Sequence, residues 1–121
     1  MTSSDLAFTP ATELAALIRA RKLSPVELTR AVLDRIERLN PIVNAFCTVT
    51  PDVALAAARE AEQAVMKGEV RGPLHGVPFS IKDLHYTKGI RTMSGSFIFE
   101  RRVPDVDPPG GRRLEPAGGG V

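Results

Sequence analysis

The chain has 121 residues, enough for one small domain with a core of its own. A hydrophobic fraction of 43% and a charged fraction of 25% are those of an ordinary soluble globular protein. The formal net charge of +2 is too small to argue for nucleic acid or an anionic membrane surface as a partner.

A single cysteine, Cys47, excludes an internal disulfide framework, and the expected setting is a reducing cytoplasm. No apolar run approaches membrane-spanning length. The start, Met1-Thr2-Ser3-Ser4-Asp5, has neither the basic residues nor the apolar block of a signal peptide. Residues 1–8 read as a short, flexible polar lead. Thr9-Pro10 then opens a helix, with Thr9 as its cap, Pro10 at its first position and Leu14, Leu17 and Ile18 as its apolar stripe. This helix is expected to fray through Arg19 to Lys22.

Ser24-Pro25-Val26-Glu27 is a stronger start signal: a cap, a first-turn proline and a glutamate three residues on that can bond back. Leu28, Val32, Ile36 and Leu39 give the helix an apolar face, and Asn40-Pro41 is expected to end it. Asn44 to Val49 reads as a strand, with Cys47 as a buried structural thiol because it lies among apolar residues outside any CxxC pattern. Thr50-Pro51 repeats the cap-plus-proline start. An alanine-rich helix follows from Ala54 to Met66, with Gly68 where a C-terminal cap belongs.

The stretch from Gly72 to Asp83, Gly-Pro-Leu-His-Gly-Val-Pro-Phe-Ser-Ile-Lys-Asp, is the centre of the chain. Its glycines and prolines force turns, and an alternating run follows, with Val77, Phe79 and Ile81 on one face and Ser80 and Lys82 on the other. This reads as a brief strand delivering Lys82 and Asp83 to its C-terminal end, where α/β folds commonly present reactive groups. By pattern alone, a lysine on the polar face of a strand is a solvated residue. His85 to Ser96 reads as a loop of small and hydroxyl residues, and Phe97-Ile98-Phe99 as an apolar anchor before Arg101-Arg102-Val103-Pro104.

Gly72 to Asp83, with Thr87-Lys88-Gly89-Ile90-Arg91-Thr92 and Gly95-Ser96 behind it, resembles the lysine motif of the amidase signature family. Leu23-Ser24-Pro25-Val26-Glu27-Leu28 and Asn44-Ala45-Phe46 fit the segments that precede that motif in the family, and the resemblance runs from Pro10 to Asp107. It implies an α/β fold, a mixed sheet covered by helices, of which this chain is the N-terminal part. Residues 10–39 would form a helix pair on its outside. Residues 9–107 are then an incomplete amidase domain, and 108–121 a tail. In that tail Gly110, Gly111, Gly119, Gly120 and Pro116 stand where the family has a helix. An interior glycine costs about 1 kcal/mol and an interior proline about 3 kcal/mol relative to alanine, so the tail is expected to be disordered.

The resemblance also implies a chemistry: cleavage of carbon–nitrogen amide bonds by a Ser-cisSer-Lys triad, in which Lys82 is the general base. No metal or organic cofactor is needed. Both serines of the family's triad come from a segment beyond the lysine motif that this chain is expected not to contain, so the 121 residues are expected to be an inactive, truncated fragment. Ser94 and Ser96 match the family's loop after the lysine and read as turn or pocket-wall residues. Asp83 is expected to orient backbone or side chains near Lys82. His75 and His85 read as turn or surface residues. The expected partner is a small-molecule amide substrate, with no metal and no membrane, and a homo-oligomer is left open. Two other readings stand beside a free-standing amidase. One is the glutaminase subunit of the tRNA-dependent amidotransferase, which would bring tRNA and protein partners. The other is a non-catalytic helical interaction module.

Overall fold

The structure, a computed structural model, describes residues 1–107 and 109. Four helices occur in the described chain: α1 (Ser3–Phe8), α2 (Ala11–Arg19), α3 (Pro25–Val43) and α4 (Pro51–Lys67). A 3-10 turn, Phe97–Phe99, follows in the loop region. The expectation for residues 108–121 falls outside the described residues, Pro109 apart.

Within residues 1–8, expected as a flexible lead, Ser3–Phe8 form α1, which opens on a reciprocal capping box between Thr2 and Asp5. The Thr2 amide donates to Asp5 Oδ2 at 2.8 Å, and the Asp5 amide donates to Thr2 Oγ1 at 3.2 Å. Thr9 serves the other end of α1, donating its hydroxyl to the Asp5 carbonyl at 2.7 Å. It does not cap α2, whose N-cap is Pro10 with no side-chain bond. After α2 the chain turns sharply instead of fraying: Arg21 is left-handed at φ 58°, and the Lys22 amide returns to the Leu17 carbonyl at 2.9 Å.

Ser24 caps α3 as its sequence predicts, accepting from the amides of Val26 and Glu27 at 3.1 and 3.2 Å. Its own hydroxyl proton goes to Glu62 on α4, so the cap also fastens two helices together. Asn40-Pro41 does not end α3. Pro41 is accommodated in the last turn, and the helix runs on to Val43 and closes on Asn44, which is left-handed at φ 48°. α4 starts at Pro51 without a side-chain bond from Thr50 and ends on Gly68 at φ 81°, the expected cap.

Leu6, Leu14, Ala15, Ile18, Leu23, Leu28, Val65 and Val77 form one buried cluster, with Leu17, Ala31 and Val32 packed around it. All four helices and the Gly72–Asp83 stretch therefore share a single core. Each fully buried Leu or Ile contributes about 1.5–3 kcal/mol of transfer free energy. α3 is the spine, packing on α4 and on α1. The expected outer pair of residues 10–39 thus exists as two helices, but α3 takes α4 as its main partner.

The described residues form no strand. Pro78 is an isolated bridge position, and Thr87 and Ile90 form a single antiparallel bridge. The mixed sheet, and the strands expected at Asn44–Val49 and Val77–Ile81, are therefore not found here. A strand persists through a ladder of hydrogen bonds to a neighbour. In the lysine stretch the Val77 amide is spent on Leu74 at 3.0 Å, the Lys82 carbonyl accepts from His85 at 2.9 Å, and Pro78 has no donor. The alternation survives without the ladder: Phe79 and Ile81 are half-buried, whereas Ser80 and Lys82 are exposed. Residues 44–49 are shaped by Asn40, whose amide clamps both backbone groups of Phe46, at 2.8 Å to its nitrogen and 3.1 Å to its oxygen.

Candidate active site

Two turns place the lysine stretch. Gly76, at φ 77°, lies buried against the first turn of α3. His75 is 3% exposed and binds α4 through Nε2, 2.9 Å from the Ala61 carbonyl. The Arg71 amide donates to its Nδ1 at 3.3 Å, so the ring is the tautomer with its proton on Nε2, donating to Ala61. His75 is thus a buried tie between α4 and the lysine stretch, not a surface residue. His85 is exposed, as expected.

From Pro78 onward the stretch lines a cleft of about 910 Å³. One wall is the half-buried face of α3, Val32, Leu33 and Ile36, continued by residues 45–50 and Ala54. The other is formed by residues 78–83, His85, Thr87 and 90–92. Lys82 is an exposed residue of this second wall, and its side chain has neither a hydrogen bond nor an ion pair among the described residues.

Asp83 does what the sequence suggests. Oδ1 accepts from the Met93 amide at 2.8 Å and Oδ2 from the Gly95 amide at 3.3 Å, and its carbonyl accepts from Ser94 at 3.1 Å. Charge-assisted bonds of this type are the stronger class. The carboxylate beside Lys82 is therefore committed to holding the 93–95 turn.

Ser94 and Ser96 do not line the cleft. Ser94 is left-handed at φ 52° and receives a bond from Arg102, while Ser96 accepts from the Ile98 amide at 3.3 Å and caps the 3-10 turn. Cys47 is exposed and lines the cleft, which corrects its expected burial. With no strand over residues 44–49, no neighbouring strand covers the thiol.

Sequence reasoning passed over Arg102, Thr92 and Thr48. Thr92 is buried in the cleft wall, and the Thr48 hydroxyl reaches the Arg91 carbonyl at 3.5 Å, spanning the cleft from one wall to the other. Arg102 stood in the sequence only as part of a basic pair, with nothing local to reveal that it folds back over ten residues to Thr92. Among the described residues no group of three His, Cys, Asp or Glu side chains could hold a metal ion. No described helix is long and apolar enough to cross a membrane.

Comparison with known proteins identifies the family. Residues 27–119 match the family model described as Amidase. The chain is 48% identical over 106 residues to the glutamyl-tRNA(Gln) amidotransferase A chain of Methylococcus capsulatus, covering 88% of this chain and 22% of that protein. It superimposes on the peptide amidase of Stenotrophomonas maltophilia with a TM-score of 0.87 at 36% identity, covering 95% of this chain and 24% of that one. A fatty acid amide hydrolase matches with a TM-score of 0.90 at 28% identity, covering 99% of this chain and 22% of that one. The chain therefore spans less than a quarter of the length of these relatives. The fold of its described residues is shared with solved amidases, and the chain belongs to the amidase signature family.

Proposed function

We propose that this chain is the lysine-bearing N-terminal region of an enzyme that hydrolyses amide carbon–nitrogen bonds, with Lys82 as the general base of a Ser-cisSer-Lys triad. The observation that carries the reading is the placement of the Lys82 side chain, without a partner among the described residues, at the wall of a cleft and beside a carboxylate already committed to the neighbouring turn. The neutral amine takes a proton from a bridging serine, which takes one from the nucleophilic serine. The nucleophile attacks the amide carbonyl, the amine or ammonia leaves, and water releases the acid from the acyl-enzyme. Ser94 and Ser96 lie off the cleft and are occupied in turns, which supports reading the two triad serines as part of the relatives' length that this chain does not span. On this reading the 121 residues alone hydrolyse nothing, and no metal or organic cofactor takes part.

A second reading is favoured by the 48% identity to a glutamyl-tRNA(Gln) amidotransferase. There the same lysine chemistry would release ammonia from glutamine for use on a tRNA-bound substrate, with partner proteins present.

The test uses a full-length enzyme carrying this N-terminal region. Incubated with simple amides and hydroxylamine, it should form hydroxamates from a trapped acyl-enzyme. Hydroxamate formation from glutamine alone, stimulated by charged tRNA, would favour the second reading. No acyl transfer to hydroxylamine from any amide would overturn both.

A further inference from the structure

The turn at residues 92–95 is gripped from two sides. Asp83 holds it from the lysine side, through the Met93, Ser94 and Gly95 amides. Arg102 holds it from the other. The Arg102 carbonyl accepts from the Thr92 amide at 3.0 Å, and Arg102 Nε donates to the Thr92 carbonyl at 3.1 Å, so both backbone groups of this buried residue are bound to one arginine. Nη2 donates to Ser94 Oγ, and Nη1 reaches the Tyr86 hydroxyl at 3.4 Å. The guanidinium lies 4.1 Å from the centre of the Phe99 ring and 4.6 Å from that of Tyr86, which fixes its plane. Between the two grips sits Ser94 at φ 52°, a conformation unfavourable for a non-glycine residue unless its surroundings impose it.

We infer that Arg102 is a positioning residue for the Lys82 site: it presses the 92–95 turn onto Asp83 and so fixes the backbone from which Lys82 enters the cleft. The inference rests on the reading of Lys82 as the base. A lysine at position 102 would keep the charge and a contact with the rings, but it has no fork to bond Thr92 and Ser94 together. Charge alone is therefore not sufficient.

Arg102→Lys and Arg102→Met in the full-length enzyme carrying this region should each lower kcat at least about tenfold, with KM within about threefold of the parent. Amide hydrogen exchange should accelerate at Met93, Ser94 and Gly95 and stay unchanged in α3 and α4. Asp83→Asn combined with Arg102→Lys should lose little more than the worse single variant, since both release the same turn. Parental kcat in Arg102→Lys, or unchanged exchange at residues 93–95, overturns the inference. So does exchange that rises equally in α3 and α4, which would make the arginine a general structural residue. Lys82→Ala assayed alongside separates the two ideas. Retained turnover there defeats the triad reading, whereas an inactive Lys82→Ala beside a fully active Arg102→Lys defeats the Arg102 inference alone.

Discussion

Gly76 approaches the ring of Pro25 so closely that a Cβ built on the glycine would lie 2.8 Å from Pro25 Cγ and 3.2 Å from Pro25 Cβ. The first turn of α3 and the stretch that carries Lys82 are thus in direct backbone-to-ring contact, with Ile18 of α2 3.4 Å from the same point. Neither Pro25 nor Ile18 has room to withdraw, since both are fully buried. The lysine stretch is seated on the helical core at this point.

Gly76→Ala therefore meets two penalties at once, the left-handed φ of 77° and the clash with Pro25. The left-handed backbone alone costs about 1 kcal/mol, and the clash should raise the loss above about 2 kcal/mol. Chemical denaturation measures it. Adding Pro25→Ala removes the atom met at 2.8 Å and should recover part of the loss despite the shorter side chain. A double variant that shows no recovery would mean the contact is not the cause.

His75→Ala removes the partner of the Ala61 carbonyl and of the Arg71 amide in a buried place. The expected loss is about 1–3 kcal/mol, from unsatisfied backbone groups together with a small cavity. Amide exchange at Arg71 and in the last two turns of α4 should rise most.

The helices were legible because their signals are local. Ser24-Pro25-Val26 and Gly68 perform their expected roles within a few residues of themselves. Thr9 and Thr50 carry the same signal and do not cap, because a hydroxyl goes to whichever acceptor or donor the fold brings near, and for Thr9 that was the end of α1. The strands of residues 44–49 and 77–81 were read from alternation, which reports exposure on two faces. It does not report the ladder that makes a strand. The burial of His75, the exposure of Cys47 and the reach of Arg102 depend on contacts between distant segments, and no local pattern encodes them. The resemblance singled out Lys82, and the expectation that Asp83 orients nearby backbone matches its bonds to the 93–95 turn.

The capping box of α1 should respond to acid. Asp5 is held below the usual carboxylate range, first by the Thr2 hydroxyl at 2.7 Å, then by the Thr2 amide, with the charged N-terminus adding to both. A folded-state value below the unfolded one means the stabilisation is fully present above the ordinary aspartate range and is lost as pH falls from there through the lowered folded-state value. Resonances of residues 3–8 should therefore shift toward coil as pH falls below about 4, while those of α3 hold. Asp5→Asn should abolish that pH response.

Phe97 and Ile98 are 87% and 86% exposed, so the expected apolar anchor is a surface patch on the 3-10 turn. Adjacent large apolar side chains left open in this way favour association. Sedimentation of the 121-residue chain should show self-association that weakens in Phe97→Ser with Ile98→Thr. A monodisperse monomer at all concentrations would show that the patch is tolerated.

As the base of the proposed triad, Lys82 governs acylation. The most direct test is the rate of acyl-enzyme formation in a single turnover, measured on a full-length enzyme carrying this N-terminal region. Lys82→Ala and Lys82→Arg should both slow acylation by about 10²–10⁴-fold with the helical circular dichroism unchanged, since alanine cannot accept a proton and arginine stays protonated. Acylation at the parental rate in either variant would contradict the account.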